Sequence, residues 1–382
     1  MITCHVARKL AAGETEPFTV AQNCMIIPIS TAPKSFAEKP QAWELRSDWT
    51  SLRACGTSPH HASVMGFMYE RGQANPFAKC PNSLLLATVK QIERKFSTTL
   101  LVGFEAELVL LDETLNPPNS NVDPTTGDST MSGLRSTTLT LIENIVDAEG
   151  LAGIHVYNFH SEGAGRFEIA LAPMDPMKAV DTLMHLHEAI RTTCVQHGFK
   201  GTLTPKPTLT GSRSGSQNGS HMHISLNPPP PKAEGFLAGI LRKIGALCAL
   251  GMPSFDSYTR LVPDATDLPV RKISDNHWEF RFIDATANMY LFLATVLAAG
   301  SEGFSIQQEL DWKDLGSFPH DLTTEELSFY GISEPMPRSL RDTKNIMGVD
   351  RHAEYIRLKE IEIEQFAKMI EEERRQRFLR IF

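Results

Sequence analysis

An α+β fold is predicted for this chain, with a small N-terminal sheet ahead of a larger mixed domain. Three observations predict it. Strand-like and helix-like segments alternate along the 382 residues without the regular strand–helix–strand spacing of a parallel sheet. The length leaves room for one large domain and a smaller one. Four short apolar segments also read as core strands, yet each carries acids or histidines at positions where a core strand would carry more hydrophobes. They are Leu100–Leu111, Phe167–Ala172, His221–Leu226 and Trp278–Ile283.

From the N-terminus, Met25–Ile29 reads as a strand and Ser30–Ala42 as loop. Trp43–Ala54 and Ser63–Tyr69 alternate polar and apolar residues, as strands of a small sheet do. Asn82–Phe96 has helical spacing, with Leu84, Leu85, Leu86, Val89 and Ile92 on one side, and leads into the second domain. Leu115–Gly133, rich in Asn, Pro, Ser, Thr and Gly, is a long loop, and Leu134–Ala148 is an amphipathic helix stopping at Gly150. Asp175-Pro176 starts a helix, a capping acid followed by proline at the first helical position, and that helix ends at Gly198. Gly211–Ser220 is a Gly/Ser-rich loop feeding the His221 strand. Phe236–Leu250 and Ala287–Gly303 are apolar on more than one face and read as buried helices. Tyr355–Phe382 reads as one long charged helix, mostly solvated, with Ile356, Ile361, Phe366, Ile370 and Phe378 as its contact stripe.

The formal charge is −8, from 37 basic and 45 acidic residues, which argues against nucleic acid or an anionic membrane as the main partner. Hydrophobic content of 41% and charged content of 21% are those of a soluble globular protein. The six cysteines are scattered without a C-x-x-C pair, so reduced thiols in the cytoplasm are expected. No apolar run reaches the length of a membrane span, and no signal pattern opens the chain.

Residues two apart in a strand project to the same face. Glu105/Glu107, His221/His223 and Glu279/Arg281 all have that spacing, while Phe104, Ala106, Leu108, Met222, Trp278, Phe280 and Phe282 point the other way. Each feature alone has a plainer reading. The acids could line a wetted sheet edge, the histidines could bond backbone carbonyls, and Glu279/Arg281 could be a salt bridge. Glu162 and Glu168 could flank a polar turn, and the Gly/Ser loop could be a linker. All of these must hold at once for the plain reading to survive. Carboxylates crowded on a largely buried face need cations. Five carboxylates (Glu105, Glu107, Glu162, Glu168, Glu279) with His221 as the imidazole make an oxygen-rich ligand set suited to Mg²⁺ or Mn²⁺, placed to hold a phosphorylated ligand.

The same residues carry a family resemblance. The segments WELRSDWTSLRACG, GFEAELVLL, FHSEGAGRFEIALAPMDPMKAVDTL, GTLTPKPTL, GSHMHISL, FLAGILRKIGALCALGMPSFDSYTRLVP and HWEFRFIDATANMYLFLATVLAAG span most of residues 43–303. In that order they resemble glutamine synthetase, most closely the fungal branch typified by the C-terminal half of FluG. The resemblance implies a β-grasp N-terminal domain over 1–95, apparently clipped. It implies a catalytic domain over 96–382 with a curved antiparallel sheet and packed helices. It implies an active site in which ATP phosphorylates the γ-carboxylate of glutamate and ammonia or an amine displaces the phosphate. Glu105 and Glu107 match the family's first pair of metal acids, Glu162 and Glu168 the second, His221 the metal histidine and Glu279 the remaining acid. His223 matches the histidine near the transferred phosphate. Arg260 and Arg281 resemble the arginines holding glutamate and phosphate. Arg271 resembles a nucleotide-phosphate arginine; Lys206 and Ser225 complete the expected nucleotide contacts. The resemblance further implies a homo-oligomeric ring.

The chain departs from the family pattern in several places. Between Arg260–Pro263 and the Glu279 strand a longer stretch is usual, the one carrying the acid flap; here Asp264 or Asp267 would have to substitute. Glu162 and Glu168 are six apart rather than seven, and Arg166 stands where glutamine is usual. The loop before His221 departs from Gly-Ser-Gly-Met, and no Asp-Gly-Ser-Ser segment is present. The leading expectation is an ATP-dependent carboxylate–amine ligase. The alternatives are a metal- and nucleotide-binding protein of impaired turnover, with a developmental or scaffolding role, and a two-metal hydrolase.

Overall fold

A computed structural model describes residues 1–21, 42–118, 134, 137–162, 165–209, 217–257, 268–315, 322–329 and 344–382. The strand expected at Met25–Ile29 lies outside the described residues. Helix α1 (Cys4–Ala11) precedes a three-stranded antiparallel sheet of β1 (Phe18–Ala21), β2 (Ala42–Ala54) and β3 (Ala62–Glu70) in that spatial order. Its small core is Trp43, Met68 and Cys80, with Phe77 against Trp43. Helix α2 (Pro81–Phe96) buries Leu85, Val89 and Ile92 in the large core.

The larger sheet has seven strands: β4 (Thr99–Leu111), β5 (Val156–Ser161), β6 (Arg166–Leu171), β7 (Lys200–Thr202), β8 (Ser220–Asn227), β9 (Val270–Ser274) and β10 (His277–Phe280). Their order is β5-β6-β4-β8-β10-β9, with β7 pairing β4, and every pairing is antiparallel. One face is covered by helices. The alternation expected of β4, β8 and β10 puts Phe104, Ala106, Leu108, Met222, Trp278 and Phe280 in the single large core. Helices α3 (Thr137–Leu151), α4 (Pro176–Gln196), α5 (Glu234–Arg242), α6 (Ile244–Gly251) and α7 (Met289–Ser305) supply the rest of it. Short helices α8 (Thr324–Phe329) and α9 (Lys344–Met347) lead to α10 (Val349–Ala367) and α11 (Glu371–Leu379).

Helix α4 starts as its cap requires: the Asp175 carboxylate accepts from the N–H of Met177 and Lys178, and Pro176 takes the first turn. Helix α3 runs through Gly150 to Leu151, past the expected stop. Gly153, at φ +72°, makes the left-handed turn that ends it. The expected Phe236–Leu250 helix is two helices, because the backbone leaves helical geometry at Lys243 and the lysine turns out to pair with Glu302.

The expected Tyr355–Phe382 helix also breaks, at Lys368–Ile370. There the chain reverses so that Phe366 and Phe378 stack, buried, with centroids 5.1 Å apart. Ile370, placed by its spacing in the contact stripe, is at that corner and exposed. Leu379 instead packs against Val109 and Leu111 of the large sheet. Among the described residues no helix is long and apolar enough to cross a membrane.

Candidate active site

The sheet face opposite the helices carries a file of ionisable side chains, set by the strand register. His160 of β5 lies opposite Glu168 of β6, and Glu168 lies opposite Glu107 of β4. Glu105 lies opposite His221 of β8, His223 opposite Glu279 of β10, and Glu279 opposite Arg271 of β9. The i, i+2 spacing within each strand puts them all on one face. Antiparallel register then lines the pairs up across six strands.

His221 is the hub. Its Nδ1 lies 3.2 Å from Glu105 Oε2 and 3.5 Å from Glu279 Oε1, and its Nε2 lies 3.2 Å from Glu107 Oε1. Glu168 Oε2 is 4.0 Å from the same Nδ1. Glu107, Glu168, His221 and Glu279 are all buried. The Gly219 N–H donates to Glu107 Oε2 at 2.7 Å, so the end of the Gly/Ser loop serves the site. His223 Nε2 lies 3.0 Å from Glu105 Oε1, and its Nδ1 lies 3.1 Å from His277 Nε2.

The two flanks carry arginines. Arg281 Nη1 donates to Glu279 Oε1 at 2.7 Å and Arg271 Nη1 to Glu279 Oε2 at 2.9 Å. On the other flank Arg166 Nη2 donates to Glu162 Oε2 at 2.7 Å. Its Nε and Nη1 donate to the backbone oxygens of Glu162 and Gln217, both at 3.0 Å. His160 lies between Glu162 (3.5 Å) and Glu168 (3.1 Å).

Crowding shows in the acids' affinity for protons. Burial, then the neighbouring charges of Glu105, Glu162, Glu107 and Glu279, push Glu168 up to about 9. Burial also acts on Glu105, but hydrogen bonds from His221 and His223 outweigh it and hold Glu105 far below the usual carboxylate range. An acid kept protonated by burial and by its neighbours' charge marks a place where a cation would be favoured. The ligand atoms fit one: those of Glu105, Glu168 and His221 lie within 4.8 Å of one another, as do those of Glu105, His223 and Glu279, and of His160, Glu162 and Glu168. Carboxylates with imidazole suit Mg²⁺ or Mn²⁺.

All six expected metal residues, with His223, Arg271 and Arg281, are thus brought to one face. Ser225 lies opposite His277 at the far end of β8. Lys206 pairs with Glu371 of α11 at 2.8 Å. Arg260, Asp264 and Asp267 lie outside the described residues. The sequence reading missed His160 and His277. Both were legible by the rule already in use, since His160 is two before Glu162 and His277 two before Glu279.

The glutamine synthetase catalytic-domain model matches residues 78–271 and 265–380. The chain belongs to the glutamine synthetase family. The two stretches of that match overlap at 265–271, ahead of the Glu279 strand. Among relatives, Protein fluG of Emericella nidulans is 31% identical over 349 residues, 84% of this chain and 40% of that protein. The glutamine synthetase of Methanocaldococcus jannaschii is 26% identical over 300 residues, 68% of this chain and 64% of that protein. The chain therefore spans less than two thirds of both relatives. Gamma-glutamylpolyamine synthetase of Streptomyces coelicolor is 28% identical over 197 residues, 42% of this chain and 41% of that protein. Among solved structures, a GmaS/ADP complex shares the glutamine synthetase fold at a TM-score of 0.75 and 21% identity, covering 97% of this chain and 91% of that one. A glutamine synthase homologue matches at 0.73 and 21%, covering 99% and 93%.

Proposed function

We propose that this glutamine synthetase family member is an ATP-dependent ligase that joins the γ-carboxylate of glutamate to ammonia or a small amine through γ-glutamyl phosphate. The observation that carries this reading is the file of acids and histidines across six strands of the catalytic-domain sheet. Bound Mg²⁺ or Mn²⁺ would neutralise the nucleotide's β- and γ-phosphate charge. The carboxylates Glu105, Glu107 and Glu168 and the imidazole of His221 would hold it. Arg281 and Arg271, already side by side on Glu279, offer the planar donors that bind carboxylate and phosphate in bidentate fashion. His223 would donate to the phosphoryl oxygens. In the first step a glutamate γ-oxygen attacks the γ-phosphorus and ADP leaves. In the second the amine nitrogen attacks the acyl carbon, phosphate leaves and the nitrogen gives up a proton.

The relatives include both glutamine synthetases and a gamma-glutamylpolyamine synthetase, which supports the ligase class while leaving the amine to experiment. A second reading, binding of metal and nucleotide with impaired turnover, is favoured by the split of the family match into two stretches that overlap at 265–271. One assay separates them: phosphate release from ATP with glutamate, Mg²⁺ and a panel of amines from ammonia to polyamines. The ligase reading expects release that requires glutamate and is accelerated by one amine. ATP binding with no phosphate from any amine would sink it and leave the second reading.

A further inference from the structure

The nitrogen groups that meet the acid file are of two chemical kinds, and their arrangement is not uniform. At the β5–β6 flank Glu162 is held by Arg166, whose guanidinium uses three nitrogens on Glu162 Oε2, the Glu162 carbonyl and the Gln217 carbonyl. At the β10–β9 flank both oxygens of Glu279 are held, by Arg281 and Arg271. In the middle the contacts are with imidazoles: Glu105 with His221 and His223, Glu107 with His221, Glu168 with His160 and His221. Guanidinium has five donors, no lone pair and a permanent charge, so it neutralises a carboxylate but cannot share it with an ion as a co-ligand. Imidazole offers a lone pair and is itself a metal ligand. The flanks are thus closed by built-in cations, and the centre is left as the place that accepts one from solution.

We infer that the acid file binds a single divalent cation, at Glu105, Glu168 and His221, and that Arg166 stands in for a second cation at Glu162. A dication on His160, Glu162 and Glu168 would share Glu162 with a guanidinium 2.7 Å from its other oxygen. Like charge that close, in a partly buried site, disfavours that position. The three central ligands carry no such neighbour in the contacts that define them: their ligand atoms lie within 4.8 Å of one another and converge from β4, β6 and β8. The inference deepens the metal part of the proposed function without depending on the amine or on turnover.

Its test counts ions in the nucleotide-free protein. Mn²⁺ is titrated into the full chain and followed by equilibrium dialysis and electron paramagnetic resonance. The wild type is expected to bind one Mn²⁺ per chain, with the uncoupled signal of an isolated ion. Arg166→Gln is expected to bind two, with the altered signal of a spin-coupled pair, and Arg166→Lys, which keeps the charge, to return to one. Melting curves of both variants show whether they are folded, and the wild-type count stands even if they are not. Two or more tightly bound ions in the wild type, or an unchanged count of one in a folded Arg166→Gln, would overturn the inference and leave the ligase reading intact. No Mn²⁺ binding by any of the three proteins would overturn both.

Discussion

Glu168 shows how much a single residue's chemistry depends on its neighbours. Its carboxyl is pushed from an ordinary 4.5 up to about 9, first by burial and then by four other glutamates. A folded state that keeps a proton which the unfolded chain releases loses stability as pH rises between those two values. In chelator the protein is therefore expected to melt at progressively lower temperature from about pH 5 to about pH 9, with the largest cost at the alkaline end. Mg²⁺ or Mn²⁺, replacing the proton, should flatten that slope, and Glu168→Gln should flatten it without metal. A metal-free melting temperature that rises across this window, in wild type and variant alike, would refute this account of the site's charge.

At the scale of elements, the junction between the small sheet and helices α3 and α4 is held by a buried ion pair. His185 Nδ1 of α4 lies 3.0 Å from Glu149 Oε1 of α3, and its Nε2 lies 3.2 Å from the carbonyl oxygen of Ala54 at the end of β2. Gly56 lies just beyond, where a Cβ would sit 2.1 Å from the Ala148 carbonyl oxygen, so the chain approaches α3 too closely for a side chain. The hydrogen bond to Glu149 holds His185 above its ordinary pKa, so the pair's contribution is complete below about 6.5 and lost as pH rises through the raised value. Breaking a buried pair from one side leaves an uncompensated charge and costs about 3–5 kcal/mol. His185→Leu is therefore expected to lower the denaturant midpoint sharply. Pairing it with Glu149→Leu should recover most of the loss, since an apolar replacement of both partners is often neutral. A double variant no more stable than His185→Leu would contradict this.

For the whole molecule, the family resemblance leads us to expect a homo-oligomer whose active sites combine the small domain of one subunit with the large domain of the next. Light scattering should return a mass several times that of one chain; a monomer at micromolar concentration would count against the assembly and against turnover. How far the sequence carried the description varies with the kind of signal. The face of β4, β8 and β10 was legible at Glu105/Glu107, His221/His223 and Glu279, because period-two alternation needs only neighbouring residues. The α10–α11 corner was not legible. Its residues are good helix formers throughout, and the reversal at Lys368–Ile370 is imposed by Phe366 and Phe378 stacking and by Leu379 reaching Val109, contacts invisible to local periodicity. Lys206, expected among the nucleotide contacts, pairs with Glu371 for the same reason, since α11 returns to the sheet only in the folded chain.

By itself the sequence determined the family, the α+β class and the inventory of acids and histidines, because motif order and alternation are local properties. Only the tertiary structure decided which charges meet. Register between strands far apart in the chain put His160 against Glu168, His277 against His223 and Arg271 on Glu279. A side chain's partner across a sheet is set by pairing, and pairing is a property of the whole fold.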